Sequence, residues 1–112
     1  MSSSYYQPED LPRFSEVGKY REDLWSKFLE WYSAASGEGG LLSKREKALV
    51  GLGVAHAIQC PYCIDAYTQA GLEAGLSMEH MTEAIHLAAA VRGGASLIHG
   101  LQSQRAAEKL EM

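Results

Sequence analysis

Long apolar runs, clustered positive charge and cysteine are all scarce in this 112-residue chain, and each scarcity excludes a class of function. The longest uninterrupted apolar run, Leu87 to Val91, falls far short of the ~18 residues that a membrane span requires. Lys and Arg total 10 against 14 Asp and Glu, a formal charge of −4. The one small basic group, Lys44, Arg45 and Lys47, reads as a solvated helix start. Non-specific nucleic-acid binding needs concentrated positive charge, so neither nucleic acid nor membrane is an expected partner. The opening MSSSYYQPEDLP is polar and lacks the apolar h-region of a secretory signal, so the expected location is the cytoplasm, where thiols stay reduced. No segment alternates like a strand, and no internal repeat is visible.

What is present is helical periodicity. In REDLWSKFLEWYSAAS, Leu24, Trp25, Phe28, Leu29 and Tyr32 recur on one face, with Asp23, Lys27 and Glu30 opposite. The glycines of GEGG, 37–40, end this helix. Ahead of it, residues 1–10 read as a loose leader with Tyr5 and Tyr6 as candidate anchors, and a short helix is expected over 11–19, ended by Gly18. Ser43-x-x-Glu46 is a capping box, in which hydroxyl and carboxylate each satisfy an orphan backbone N–H. From Ala48 to Ile58 the next helix is apolar almost all round, so it is expected to be fully buried. Gly51 and Gly53 would let a neighbour approach it closely, at a cost in helix propensity.

Pro61 suits the first position of a further helix and makes Cys60 its N-cap; that helix should run to about Glu73 and close at Gly75. Ser77 caps the last long helix, with Met81, Ala84, Ile85, Ala88 and Val91 as its apolar face and a kink or break expected at Gly93-Gly94. The fold class is therefore all-α, five or six helices in one domain over 1–112, small enough that helix faces are expected to be covered in an oligomer.

The only two cysteines lie in QCPYCIDAYTQAG, residues 59–71. A thiol reacts as its thiolate, and the first turn of a helix offers unpaired N–H groups and the positive end of the macrodipole. Cys60 at the N-cap and Cys63 at N3 both occupy that zone, close enough to close a disulfide over one turn. One thiolate can attack a substrate and the other can resolve the mixed species. Two competing readings stay open: small residues packed at a helix start, or half of a zinc site that histidines would have to complete. By itself the helix argument favours the N-cap sulfur, Cys60, as the more reactive.

His56 stands out among the four histidines because it lies inside the apolar helix, four residues before Cys60. It is either a hydrogen-bonded core histidine or a group that takes a thiol proton or steadies a thiolate. His99 is a second candidate for the same pocket, whereas His80 and His86 lie on solvent-leaning positions. Tyr67 follows Cys63 by one helical turn on the same face, so its hydroxyl is a candidate hydrogen-bond donor to a sulfur or a bound peroxide. Asp65 reads as a first-turn acid that complements the helix dipole.

The stretch from SKREKALVGLGVAHAIQCPYCIDAYT through RGGASLIHG resembles the carboxymuconolactone decarboxylase-like superfamily, and its CxxC resembles the alkylhydroperoxidase-D-like branch. The chain as a whole is most similar to a subgroup named arsenosugar biosynthesis-associated peroxidase-like proteins. The resemblance covers roughly residues 41–101, the core with the CxxC, preceded by a leader and short helix in 1–20. It implies an all-helical subunit assembled as trimers or hexamers, with thiol peroxidase activity and no cofactor or metal. It also implies that Cys63 attacks the peroxide, that Cys60 resolves the sulfenic acid, and that a dithiol donor such as a lipoyl protein or thioredoxin reduces the disulfide. The family's proton relay has Glu twelve residues before the first cysteine and His four after the second; those positions are Ala48 and Tyr67 here. Glu46 is two residues out of register and already capped. The proton work would then fall to His56, with Tyr67 assisting.

The leading expectation is a peroxidase with Cys63, Cys60, His56 and Tyr67 as its site. The first alternative is a dithiol binding protein for soft ions such as trivalent arsenic. Decarboxylation, the reaction that names the superfamily, ranks last because it leaves the CxxC unused.

Overall fold

A computed structural model describes residues 5–111, which form helices and connecting turns with no strand among them. A 3₁₀ arm, Pro8–Tyr20, leads into α1, Glu22–Ser36; α2, Lys44–Ala57; α3, Pro61–Glu73; α4, Met78–Ile98; and α5, Gly100–Glu111. The short helix expected over 11–19 is thus a longer 3₁₀ segment.

The start signals act as their chemistry requires. Ser43 accepts the Glu46 N–H at 3.1 Å while the Glu46 carboxylate accepts the Ser43 N–H at 2.8 Å, closing the capping box of α2. Cys60 is the N-cap of α3, with Pro61 at its first position. Ser77 caps α4, and His80, read from sequence as a surface residue, completes that cap through its ring nitrogen, 2.7 Å from the Ser77 hydroxyl.

α2 packs against α3 on one side and α4 on the other. Ala48 and Leu52 of α2 meet Leu76 and Met81 in the core, with Leu49, Tyr67, Ala70 and Ile85 around them. Complete burial of a side chain such as Leu52 or Met81 contributes roughly 1.5–3 kcal/mol. Small residues set the spacing: a Cβ at Gly71 would meet Met81 Sδ at 2.8 Å, and Gly53 faces Ala88, whose Cβ would lie 3.7 Å away. Gly51 receives the ring of Tyr67.

Two expectations need correction. α2 is not buried all round within one chain: Val50, Val54 and Ile58 form a stripe 57%, 53% and 64% exposed. α4 continues unbroken past Gly93-Gly94 to its C-cap at His99, because two glycines cost only ~1 kcal/mol each and nothing presses on either of them.

The arm and α1 form a separate layer, joined by the edge contact of Phe14 on Trp25, centroids 5.0 Å apart. At the other end α5 buries no residue. The Cα radius of gyration is 18.9 Å, against about 13 Å for a compact chain of this length.

Candidate functional site

The turn between α2 and α3 sets the site. α2 ends at Ala57, and Gln59 takes a left-handed backbone, φ 56°, that side chains other than glycine's adopt at some cost. That twist brings Cys60 N–H onto the Ala55 carbonyl at 3.0 Å and swings the chain into α3. Cys60 Sγ then accepts the Cys63 N–H at 3.3 Å, in the manner of an N-cap oxygen. The two sulfurs lie 2.6 Å apart as free thiols, both half-buried.

The two sulfurs differ in environment. Loss of solvent, then the hydrogen bond to Cys60 and its charge, push the Cys63 thiol up to about 11, so Cys63 keeps its proton at neutral pH. Cys60 is the sulfur that receives a backbone N–H at the positive end of α3, and so is the one built to hold negative charge. Iodoacetamide at pH 7 should therefore label Cys60 first. Cys63 should react on the order of 10²-fold more slowly than an ordinary free cysteine and catch up only as the pH climbs toward 11. Peptide mass spectrometry after a short pulse reads the order directly.

Both sulfurs open onto a cavity of about 920 Å³ between α3 and the layer of arm and α1. Phe14, Trp25, Phe28, Tyr32, Tyr62 and Tyr67 supply its aromatic wall. Trp25, Phe28 and Tyr32 stack in sequence along α1 at 5.7 and 5.6 Å, which is what their helical spacing foretold. Tyr67 stands one turn beyond Cys63, where the sequence placed it, and its hydroxyl is hydrogen-bonded to that of Tyr32. Burial first, then that bond, then the charges of Tyr67 and Cys63 hold the Tyr32 phenol protonated well above the usual phenol range.

His56 does not border the cavity onto which the sulfurs open. Its Nδ1–H donates back to the Leu52 carbonyl at 2.9 Å, which turns the ring along α2. It lines a separate cavity of about 510 Å³ with Tyr6, Gln59, Pro61, Ile64 and Asp65, none of which borders the first. Closeness in sequence to Cys60 made it a candidate, but α2 ends at Ala57, between them. His99, at the C-cap of α4, does not border the sulfur cavity either. Among the described residues no three His, Cys, Asp or Glu side chains gather into a metal-binding group, so the sulfurs have no third donor beside them.

Sequence reasoning missed two tyrosines. Tyr32 was read only as part of the apolar face of α1; its partner is 35 positions away, and no local pattern signals that. Tyr62, between the cysteines, fastens the arm. Its hydroxyl lies 3.3 Å from Asp10 Oδ2 and from the Tyr5 carbonyl, and accepts the Gln7 N–H at 3.3 Å. Tyr6 stacks on Tyr62 at 4.9 Å and donates to Asp65, a bond that raises the Tyr6 phenol to about 12. From Tyr5 on, the leader is anchored over α3, Tyr6 acting through its side chain and Tyr5 through its carbonyl, while the Tyr5 ring is exposed; residues 1–4 lie outside the described residues.

The sequence profile of the carboxymuconolactone decarboxylase family matches residues 24–105, from α1 into α5. A crystal structure of an apo carboxymuconolactone decarboxylase family protein from Legionella pneumophila superposes with a TM-score of 0.66 at 26% identity, covering 93% of this chain and 92% of that one. A Paracoccus denitrificans protein described as "uncharacterized protein 4 in cox locus" is 42% identical over 60 residues. The overlap is 54% of each chain, so this chain spans about half the length of the curated relative it matches. With most of its length under the profile and the whole bundle shared with a solved member, the chain belongs to the carboxymuconolactone decarboxylase family.

Proposed function

We propose that this protein is a dithiol peroxidase that reduces hydroperoxides carrying an apolar substituent. One observation carries the reading: two free sulfurs side by side at a helix start, opening onto a large aromatic cavity. A small polar peroxide needs no such wall, whereas an aryl or alkyl hydroperoxide would bury its substituent there.

The Cys60 thiolate attacks the distal oxygen of R–O–OH; the O–O bond breaks, leaving a Cys60 sulfenic acid and an alkoxide that takes a proton to become R–OH. Cys63 then loses its proton and attacks the Cys60 sulfur, expelling hydroxide that leaves as water once protonated. The two electrons that reduce the peroxide come from the pair of thiols, which become a disulfide. A dithiol donor, a lipoyl group or thioredoxin, restores them by exchange. This order reverses the one that the resemblance implies, because Cys60 is the sulfur that accepts a backbone N–H at the start of α3. His56 has no part in it, since its ring lies in the other cavity. Decarboxylation would leave the sulfur pair without work. The test is consumption of cumene hydroperoxide with dihydrolipoamide as reductant.

We further propose that the protein is a homo-oligomer. The exposed stripe on α2 and Leu87, Val91, Leu97 and Ile98 on α4 leave many large apolar side chains uncovered within one chain. A second copy of this chain would cover them. Light scattering after size exclusion should give the mass of at least three subunits; a monomer at micromolar concentration would refute it.

A further inference from the structure

We infer that Tyr32 is a positioning residue for this chemistry: through its hydrogen bond it directs the Tyr67 hydroxyl to protonate the departing alkoxide. The inference rests on the peroxidase reading above. Three observations carry it. Tyr32 comes from α1 and Tyr67 from α3, yet their hydroxyls meet inside the cavity that holds both sulfurs. Gly51 gives the Tyr67 ring its room, which holds the phenol at this place against α2. Tyr67 also occupies the helical turn directly after Cys63, which puts the phenol pair on the sulfur side of α3.

Burial, the bond to Tyr67 and the charges of Tyr67 and Cys63 keep Tyr32 protonated, so its O–H is available to donate. In the inferred arrangement the Tyr32 O–H donates to the Tyr67 oxygen, which leaves the Tyr67 O–H for the cavity. When the O–O bond breaks, Tyr67–OH gives its proton to RO⁻, forming ROH, and the Tyr67 phenolate is held by the Tyr32 O–H. The phenolate then takes the proton of Cys63–SH, which regenerates Tyr67–OH and leaves a Cys63 thiolate. That thiolate attacks the Cys60 sulfenic acid, forming the disulfide and hydroxide; the proton released when Cys60 first ionised converts the hydroxide to water. One phenol thus serves two steps, protonating the leaving group and activating the resolving thiol.

Leaving-group dependence distinguishes this role from mere packing. Cumene hydroperoxide expels a strongly basic alkoxide that needs a proton, whereas perbenzoic acid expels benzoate, which does not. Tyr32→Phe keeps the stacked ring and removes only the hydroxyl. It should lower kcat/KM for cumene hydroperoxide by about 10²-fold and leave that for perbenzoic acid unchanged. Tyr67→Phe should show the same selectivity, and the double variant should be no worse than Tyr67→Phe alone. Should Tyr32→Phe not fold, the selectivity of Tyr67→Phe decides. Equal losses on both substrates, no loss on either, or losses that multiply in the double variant would overturn the role of Tyr32. If the unaltered protein turns over neither peroxide, the peroxidase reading itself fails, and this inference with it.

Discussion

Cys60→Ser abolishes turnover of cumene hydroperoxide, to on the order of 10³-fold or more below the unaltered protein, and shows no initial burst. Cys63→Ser is equally dead in steady state, but it still consumes one equivalent of peroxide per subunit and leaves a sulfenic acid on Cys60 that dimedone traps. The asymmetry follows from the first turn of α3. Cys60 accepts the Cys63 N–H there, while Cys63 sits desolvated with its proton held up to about 11. Stopped-flow peroxide consumption and peptide mass spectrometry check both halves. A burst in Cys60→Ser with the adduct on Cys63 would restore the order implied by the family resemblance. Unimpaired turnover in either variant would end the peroxidase proposal.

Gly51→Ala lowers peroxide turnover by about 10²-fold without touching a sulfur, the loss expected when a reacting group is misplaced by ~1 Å. A Cβ at Gly51 would land on the ring of Tyr67, and the nearest escape moves that hydroxyl away from Tyr32. Overpacking costs typically 1–3 kcal/mol, and the gain in helix propensity returns only ~1, so the variant is also less stable. Two residues along, Gly53→Ala meets nothing nearer than Ala88 Cβ at 3.7 Å. It should keep full activity and gain up to about 1 kcal/mol. Thermal melts and kcat/KM of the pair separate a packing effect on the site from a general intolerance of α2 to side chains.

Helix starts were legible because their chemistry is local. Ser43 with Glu46, Cys60 with Pro61, and Ser77 each announce a cap within four residues, and all three caps form. No break occurs at Gly93-Gly94, because a helix already paired along α2 can carry two glycines at modest cost. His56 and Cys60 are four apart in sequence, but the left-handed Gln59 turns the chain between them, and His56 lines a different cavity from the sulfurs. Tyr32 and Tyr62 were illegible as site residues because what gives them meaning lies far off in the chain, in Tyr67 for one and Asp10 for the other. Aromatic spacing on α1 foretold a stripe, but a stripe facing a cavity and a stripe facing a core look alike in sequence.

The final helix, α5, hides none of its side chains against its own chain, and the subunit's interior rests on a handful of residues around Leu52 and Met81. In the proposed oligomer, folding and association would form a single equilibrium rather than successive events. That proposal predicts that dilution acts as a denaturant, with the melting temperature climbing as protein concentration rises.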